Sequence, residues 1–118
     1  VEASSAKGTS AAGATQINRD CKGVVLSISK TANSGTSPTV TIKVQGSANG
    51  TDWYDITGAT TAAISANGTT TLTVCPGAPV TANVSTSQPL PRLWRIYWTI
   101  GGSDTPTVTF SVDAAMIQ

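Results

Sequence analysis

LPRLWRIYWTIGGSDTPTVTFSVDAAMIQ, residues Leu90 to Gln118, decides the fold class of this chain. It holds two alternating runs separated by Gly, Ser, Asp and Pro. In the first run Trp94, Ile96, Trp98 and Ile100 share one parity, and Arg95, Tyr97 and Thr99 the other. In the second, Val108, Phe110, Val112, Ala114 and Met116 alternate with Thr107, Thr109, Ser111 and Asp113. Successive side chains on a strand point to opposite faces, so each run has one apolar and one mostly polar face. GGSDTP is turn-forming, and the pair is expected to make an antiparallel hairpin packed on a second layer.

The same pattern recurs upstream. Lys22 to Lys30 alternates with Val24, Leu26 and Ile28 inward, and Thr39 to Gly46 with Val40, Ile42 and Val44 inward. TANSGTSP reads as the loop between them. Asn49-Gly50 and Asn67-Gly68 are turn signals, because these residues accept positive φ. Gln16 to Arg19, Asp52 to Ile56 and Thr69 to Cys75 are further strands. Thr57 to Asn67 is weakly patterned, with Ile64 its main apolar anchor. Pro76 to Pro91 carries four prolines and reads as a long loop, since proline cannot donate to a ladder. About seven short strands with no helical period indicate an all-β chain, a single β-sandwich of jelly-roll or immunoglobulin-like order. Two regions follow: an extended N-terminal arm, 1–15, and the sandwich domain, 16–118. The arm, VEASSAKGTSAAGAT, is small and low in complexity. It has too little apolar area to order itself, so another chain or the body must pin it. A start at Val1 fits material whose initiator methionine was removed.

The composition narrows the function. Charged residues make up 11% of the 118 residues, and the formal net charge is +1, against about 25% charged in typical domains. Lys22, Lys30, Lys43, Arg92 and Arg95 are scattered, mostly on expected outer faces. Nucleic-acid binding needs a concentrated basic surface and is not expected. No apolar run approaches the ~20 residues of a membrane-crossing helix. Histidine is absent and acids number six. Triad chemistry and imidazole metal ligation are therefore excluded, and an enzyme is not expected. Nor is a cofactor or bound metal. Cys21 and Cys75 cannot form a structural zinc site alone. They read as two unpaired thiols if the chain is made in a cytosol, or as one bridge outside it. Parity places both off the core, near strand ends.

Several residues invite functional readings. Trp53, Tyr54 and Tyr97 offer aromatic faces for a sugar, whereas Trp94 and Trp98 carry core parity. Asp52, Asp55 and Asp104 lie in or beside loops but lack the spacing of a calcium loop, and read as solvated turn residues. Asn49, Asn67 and Asn83 head glycosylation-type triplets, and the turns explain two of them. Arg95 should point off the core, where it can pair with an acid on a neighbouring chain.

Three segments carry a resemblance: KVQGSANGTDWYDI (Lys43 to Ile56), LPRLWRIYWTIGG (Leu90 to Gly102) and PTVTFSVDAAMI (Pro106 to Ile117). Together they resemble small β-sandwich proteins of tailed bacteriophages, over about the last two thirds of the chain. The chain is most similar to the capsid decoration, or cement, proteins that bind outside an icosahedral head. The resemblance implies a structural virion protein on the capsid exterior, made in the host cytoplasm. Its implied partners are the major capsid protein and itself, as a homotrimer, with no nucleic acid or membrane involved. It implies that an arm reaches along the shell. The expected partner-binding residues are Val1, Glu2, Ala3, Ser4, Ser5, Lys7 and Thr9 of the arm, with Arg95 and Tyr97 of the body. A carbohydrate- or receptor-binding module of a phage tail or secreted protein is the alternative. A pilus or surface-layer subunit, whose arm completes a neighbour's sheet, is a third reading.

Overall fold

A computed structural model of the chain describes residues 2–117. The strands are β1 Glu2–Lys7, β2 Ala11–Ala12, β3 Gln16–Ile17, β4 Gly23–Ser47, β5 Trp53–Thr60, β6 Gly68–Val74, β7 Ser85–Thr86 and β8 Leu93–Ile117. No helix occurs among the described residues. β4 and β8 each run for 25 residues. They pair antiparallel along nearly their whole length, from Gly23↔Ile117 to Ser47↔Leu93.

This overturns the expected hairpin. Leu93–Ile100 and Thr107–Ile117 do not pair with each other; both lie against β4. Likewise TANSGTSP is not a reversing loop, because β4 runs through it. The two segments form a shared corner, at which the register shifts between Lys30 and Ala32, Ser34 and Thr36, and Thr36 and Thr39. Extra residues in a ladder make it bend and twist. Five corner residues have positive φ: Gly35 at 93°, Ser37 at 47°, Gly102 at 116°, Asp104 at 57° and Thr105 at 55°. The paired strands fold over here, and one eight-stranded sheet becomes two facing layers. The first has the order β1-β8-β4-β6-β7; in the second, β2 and β3 flank β8 and β5 flanks β4.

Parity then builds the core. Val24, Leu26, Ile28, Val40, Ile42, Val44, Trp94, Ile96, Val108, Phe110 and Val112 are all buried, as the alternation requires. Trp98 meets Phe110 edge to face at 5.7 Å, although the two lie twelve positions apart on one strand. Ile64 is the anchor expected of its segment, paired with Val40 through both backbone bonds. β7 interrupts the expected long loop and runs parallel to β6. Thr86 on β7 is buried, and its hydroxyl donates to the Thr57 carbonyl of the second layer at 2.8 Å.

Two placements differ from expectation. Lys30 lies inward and is 1% exposed. Its ammonium donates to Asn67 Oδ1 at 2.8 Å and Asn33 Oδ1 at 3.0 Å. Neutral amide oxygens thus satisfy a buried charge at the mouth of the corner. Cys75 is buried rather than off the core; Cys21 is half-buried, and both are free thiols. Cys75 lies against Gly23, where an added Cβ would sit 2.7 Å from Cys75 Cβ and would clash with the Val74 carbonyl.

Two substitutions probe this design. Trp98→Ala empties the contact with Phe110 and should cost about 3–5 kcal/mol in denaturant unfolding. Gly102→Ala should cost about 2 kcal/mol or more, because φ is positive and the new Cβ meets the Thr36 carbonyl at 2.9 Å. Unchanged unfolding midpoints would contradict the folded-over corner.

Candidate functional site

The outer face of the second layer collects the side chains of odd parity. Asp55, Gln45 and Arg95 form one row across β5, β4 and β8, and Lys43 and Tyr97 a second. Gln45 Nε2 donates to Asp55 Oδ1 at 2.9 Å, while Arg95 Nε donates to Gln45 Oε1 at 2.8 Å. The Gln45 amide therefore relays between acid and cation. Lys43 completes an ion pair with Asp55 at 3.1 Å. The Arg95 guanidinium stacks 4.2 Å from the Trp53 ring centroid, and Lys43 Nζ lies 5.1 Å from that of Tyr97. One face of each ring is thus occupied by a cation.

The hydrogen bond from Gln45, and then that from Lys43, hold Asp55 below the ordinary carboxylate range, against a smaller opposing effect of burial. The other aspartates are engaged separately. Asp52 Oδ2 accepts from Asn49 Nδ2 at 3.0 Å, and Asp104 Oδ2 accepts from the Thr36 hydroxyl. Among the described residues no three or more Cys, Asp or Glu groups converge as metal ligands. Asn49 Oδ1 accepts from the Thr51 and Asp52 amides at 2.8 Å each, closing the loop before β5.

The arm has one of the two supports that its composition requires. The body itself orders it. β1 pairs with Val108–Val112, β2 with Tyr97 and Trp98, and β3 with Leu93 and Trp94, so residues 2–17 track β8 through both layers. Trp98 Nε1 donates to the Thr9 carbonyl at 3.0 Å, and Ile100 N to Ser10 Oγ at 2.9 Å. Lys7 Nζ lies 4.6 Å from the Phe110 ring centroid and 5.5 Å from that of Trp98. Lys7 therefore covers the open side of the core. Glu2 reaches toward Gly13 of the second layer, its Oε2 3.5 Å from where a Cβ would stand. Ala3, Ser4 and Ser5 are exposed. Val1 lies outside the described residues.

The expected partner-binding residues thus fall in two places. Glu2, Ala3, Ser4, Ser5, Lys7 and Thr9 border the β8 side of the sandwich, whereas Arg95 and Tyr97 lie on the outer face of the second layer. Sequence reasoning missed Gln45 and Asp55, although Lys43, Gln45 and Arg95 shared the outward parity that unites them. Comparison with protein-family models, with curated proteins and with solved structures found no match in any of the three.

Acid should loosen this network. The contribution of Asp55 is fully present above its ordinary pKa of about 3.9 and is lost as pH falls through the depressed native value. Because the Asp55 side chain is 60% exposed, the loss should stay below about 1 kcal/mol. Acid titration of the wild type below about pH 4 should change Trp53 fluorescence. Asp55→Asn should remove that transition, and its persistence would assign it elsewhere.

Proposed function

We propose that this chain is a structural protein of a phage virion, a decoration protein that binds outside the assembled head and stabilises it. It is not an enzyme. It acts as a trimer on the major capsid protein, after synthesis in the host cytoplasm. The sequence resemblance over Lys43 to Ile117 supports this reading, as does a scaffold with few charges. The observation that carries it is the open edge of β1. One side of β1 is paired with β8, and Ala3, Ser4, Ser5 and Ala6 are small and exposed. Sheet edges are usually guarded by charge, proline or a covering loop. Here Glu2 and Lys7 lean toward the core side, and the Lys7 ammonium donates to the Ala3 and Ser5 carbonyls of β1 at 3.4 and 3.3 Å without covering the strand with a loop or proline. Small side chains leave the outer backbone of β1 accessible to a strand of a capsid subunit.

Stabilisation follows by mass action, because a subunit that binds assembled shell and not free capsid protein favours assembly. A trimer that bridges several capsid subunits adds avidity. The second reading is a carbohydrate- or receptor-binding module. Trp53 and Tyr97 on one outer face favour it, but the cations on their rings limit the surface left for a sugar.

Capsids assembled without this protein provide the test. Wild-type chain should saturate them and raise their melting temperature. Ala6→Pro removes a β1 amide where proline is tolerated structurally. It should weaken binding about tenfold or more, a loss of about 1.4 kcal/mol, while the unfolding midpoint of the free chain stays unchanged. No binding by the wild type would end the decoration reading. Equal binding by Ala6→Pro would remove β1 from the contact.

A further inference from the structure

The network on the outer face of the second layer carries a charge that it does not neutralise. Its charged members are Lys43, Asp55 and Arg95, two cations and one anion, which leaves one positive charge over. Among the described residues Lys43 with Asp55 is the one ion pair, and no carboxylate pairs with the Arg95 guanidinium. Asp52, next to Trp53, is turned into its own loop, where it accepts from Asn49 Nδ2. Arg95 Nε donates to Gln45 Oε1, but the two Nη groups have no protein acceptor among the described residues. Neither Nη is buried, since the Trp94 indole nitrogen is the one buried side-chain nitrogen or oxygen left unpartnered there.

The guanidinium is nevertheless fixed. The Arg95 side chain leaves β8, crosses β4 and lies 4.2 Å from the Trp53 ring centroid on β5. Gln45 holds Nε at 2.8 Å, and Asp55 holds the Gln45 amide at 2.9 Å. A neutral amide thus stands between acid and guanidinium, and it orients the cation without cancelling its charge. With one face on the indole and Nε occupied, the edge formed by the two Nη groups is left for a partner. That edge offers two parallel N–H donors, which match the two oxygens of a carboxylate. Exposed ion pairs gain little, chiefly because two long side chains must be ordered together. Here most of the ordering on the arginine side precedes the encounter.

We propose that Arg95 binds the carboxylate of an aspartate or glutamate on an acidic segment of a partner protein, each Nη donating to one oxygen. A single carboxylate balances the one surplus charge, whereas a doubly charged phosphate would leave an excess of negative charge beside Asp55. A sugar ring is disfavoured, because Arg95 and Lys43 already occupy one face each of Trp53 and Tyr97. This contact uses a side chain on the outer face of the second layer, not the backbone of β1, and holds whichever assembly the partner belongs to.

The probe is the peptide acetyl-Gly-Ser-Glu-Ser-Gly-amide, with glutamine in place of glutamate as its control. Each is titrated at low salt into ¹⁵N,¹³C-labelled protein, and the arginine Nε and Nη signals and the Trp53 indole signal are followed. The glutamate peptide should move the Arg95 Nη signals downfield in a saturable way. It should do so at about tenfold lower concentration than for Arg19 and Arg92, which are exposed. The glutamine peptide should leave Arg95 in place. Arg95→Lys keeps the charge and loses the fork, and should weaken the response of the Trp53 indole about tenfold. Arg95→Gln removes the charge as well and should abolish that response. Equal shifts with the glutamine peptide, an Arg95 response no stronger than that of Arg19 and Arg92, or an undiminished Trp53 response in Arg95→Gln would each overturn the proposal.

Discussion

The antiparallel ladder between β4 and β8 is the constraint on which the rest of the molecule depends. It continues through the corner instead of ending there. Five of the other six strands attach directly to one of these two, β6 and β5 to opposite halves of β4 and β1, β2 and β3 to β8, and β7 follows on β6. Because side chains alternate with a period of two, a strand that kept perfect register would hold one face throughout. The bulges at the corner turn the ribbon so that the same parity faces inward on both sides of the bend. Val24, Leu26 and Ile28 thus meet Val40, Ile42 and Val44 across a single core. Loss of the corner would leave a flat ribbon with one long exposed apolar face.

Two closures keep the layers together, one on each side. On the β4 side, Thr86 bonds the Thr57 carbonyl, and Gly58 leaves room for it: a Cβ there would meet Thr86 Oγ1 at 2.8 Å. On the β8 side, the arm passes from one layer to the other between Lys7 and Ala11, and Thr9 and Ser10 bond Trp98 and Ile100 on the way. The arm contributes few apolar atoms. Its hold consists of backbone pairing, two side-chain bonds and the Lys7 cation over two rings.

Much of this was legible in the sequence, because burial on one face imposes alternation directly. The inward residues of β4 and β8 follow from parity alone. Trp94 and Trp98 are buried, at 2% and 7% exposure, because they share a face with Ile96. The corner was not legible. Gly, Ser, Asp and Pro mark places where backbone can take unusual φ, and that chemistry is common to a reversal and to a bulged bend. Only the partner strand distinguishes them, and it lies about 70 residues away in sequence, beyond the reach of local turn rules. Lys30 failed for a related reason. It continues the inward series of Val24, Leu26 and Ile28, yet a lysine usually reads as exposed. The amides that allow its burial come from Asn33 and Asn67, one of them on another turn. The outer network on Asp55 needed the pairing of β5 with β4, which the Asn49-Gly50 turn suggested but did not register.

The arm's attachment bears directly on how the chain can serve an assembly. A partner that took the arm away from β8 would have to replace the ladder from Glu2 to Lys7. It would also leave the Trp98 indole and the Ile100 amide without acceptors next to the core. Unsatisfied buried donors are costly, so removal of the arm and integrity of the sandwich are coupled. A partner that pairs with the outer edge of β1 meets no such opposition. It would satisfy groups already facing solvent and would strengthen the seal over Phe110 and Trp98. Of the two ways in which the arm can engage a neighbour, addition to the docked strand is therefore favoured over exchange. The small side chains from Ala3 to Ala6 suit it, since they let a second backbone approach without displacing the first.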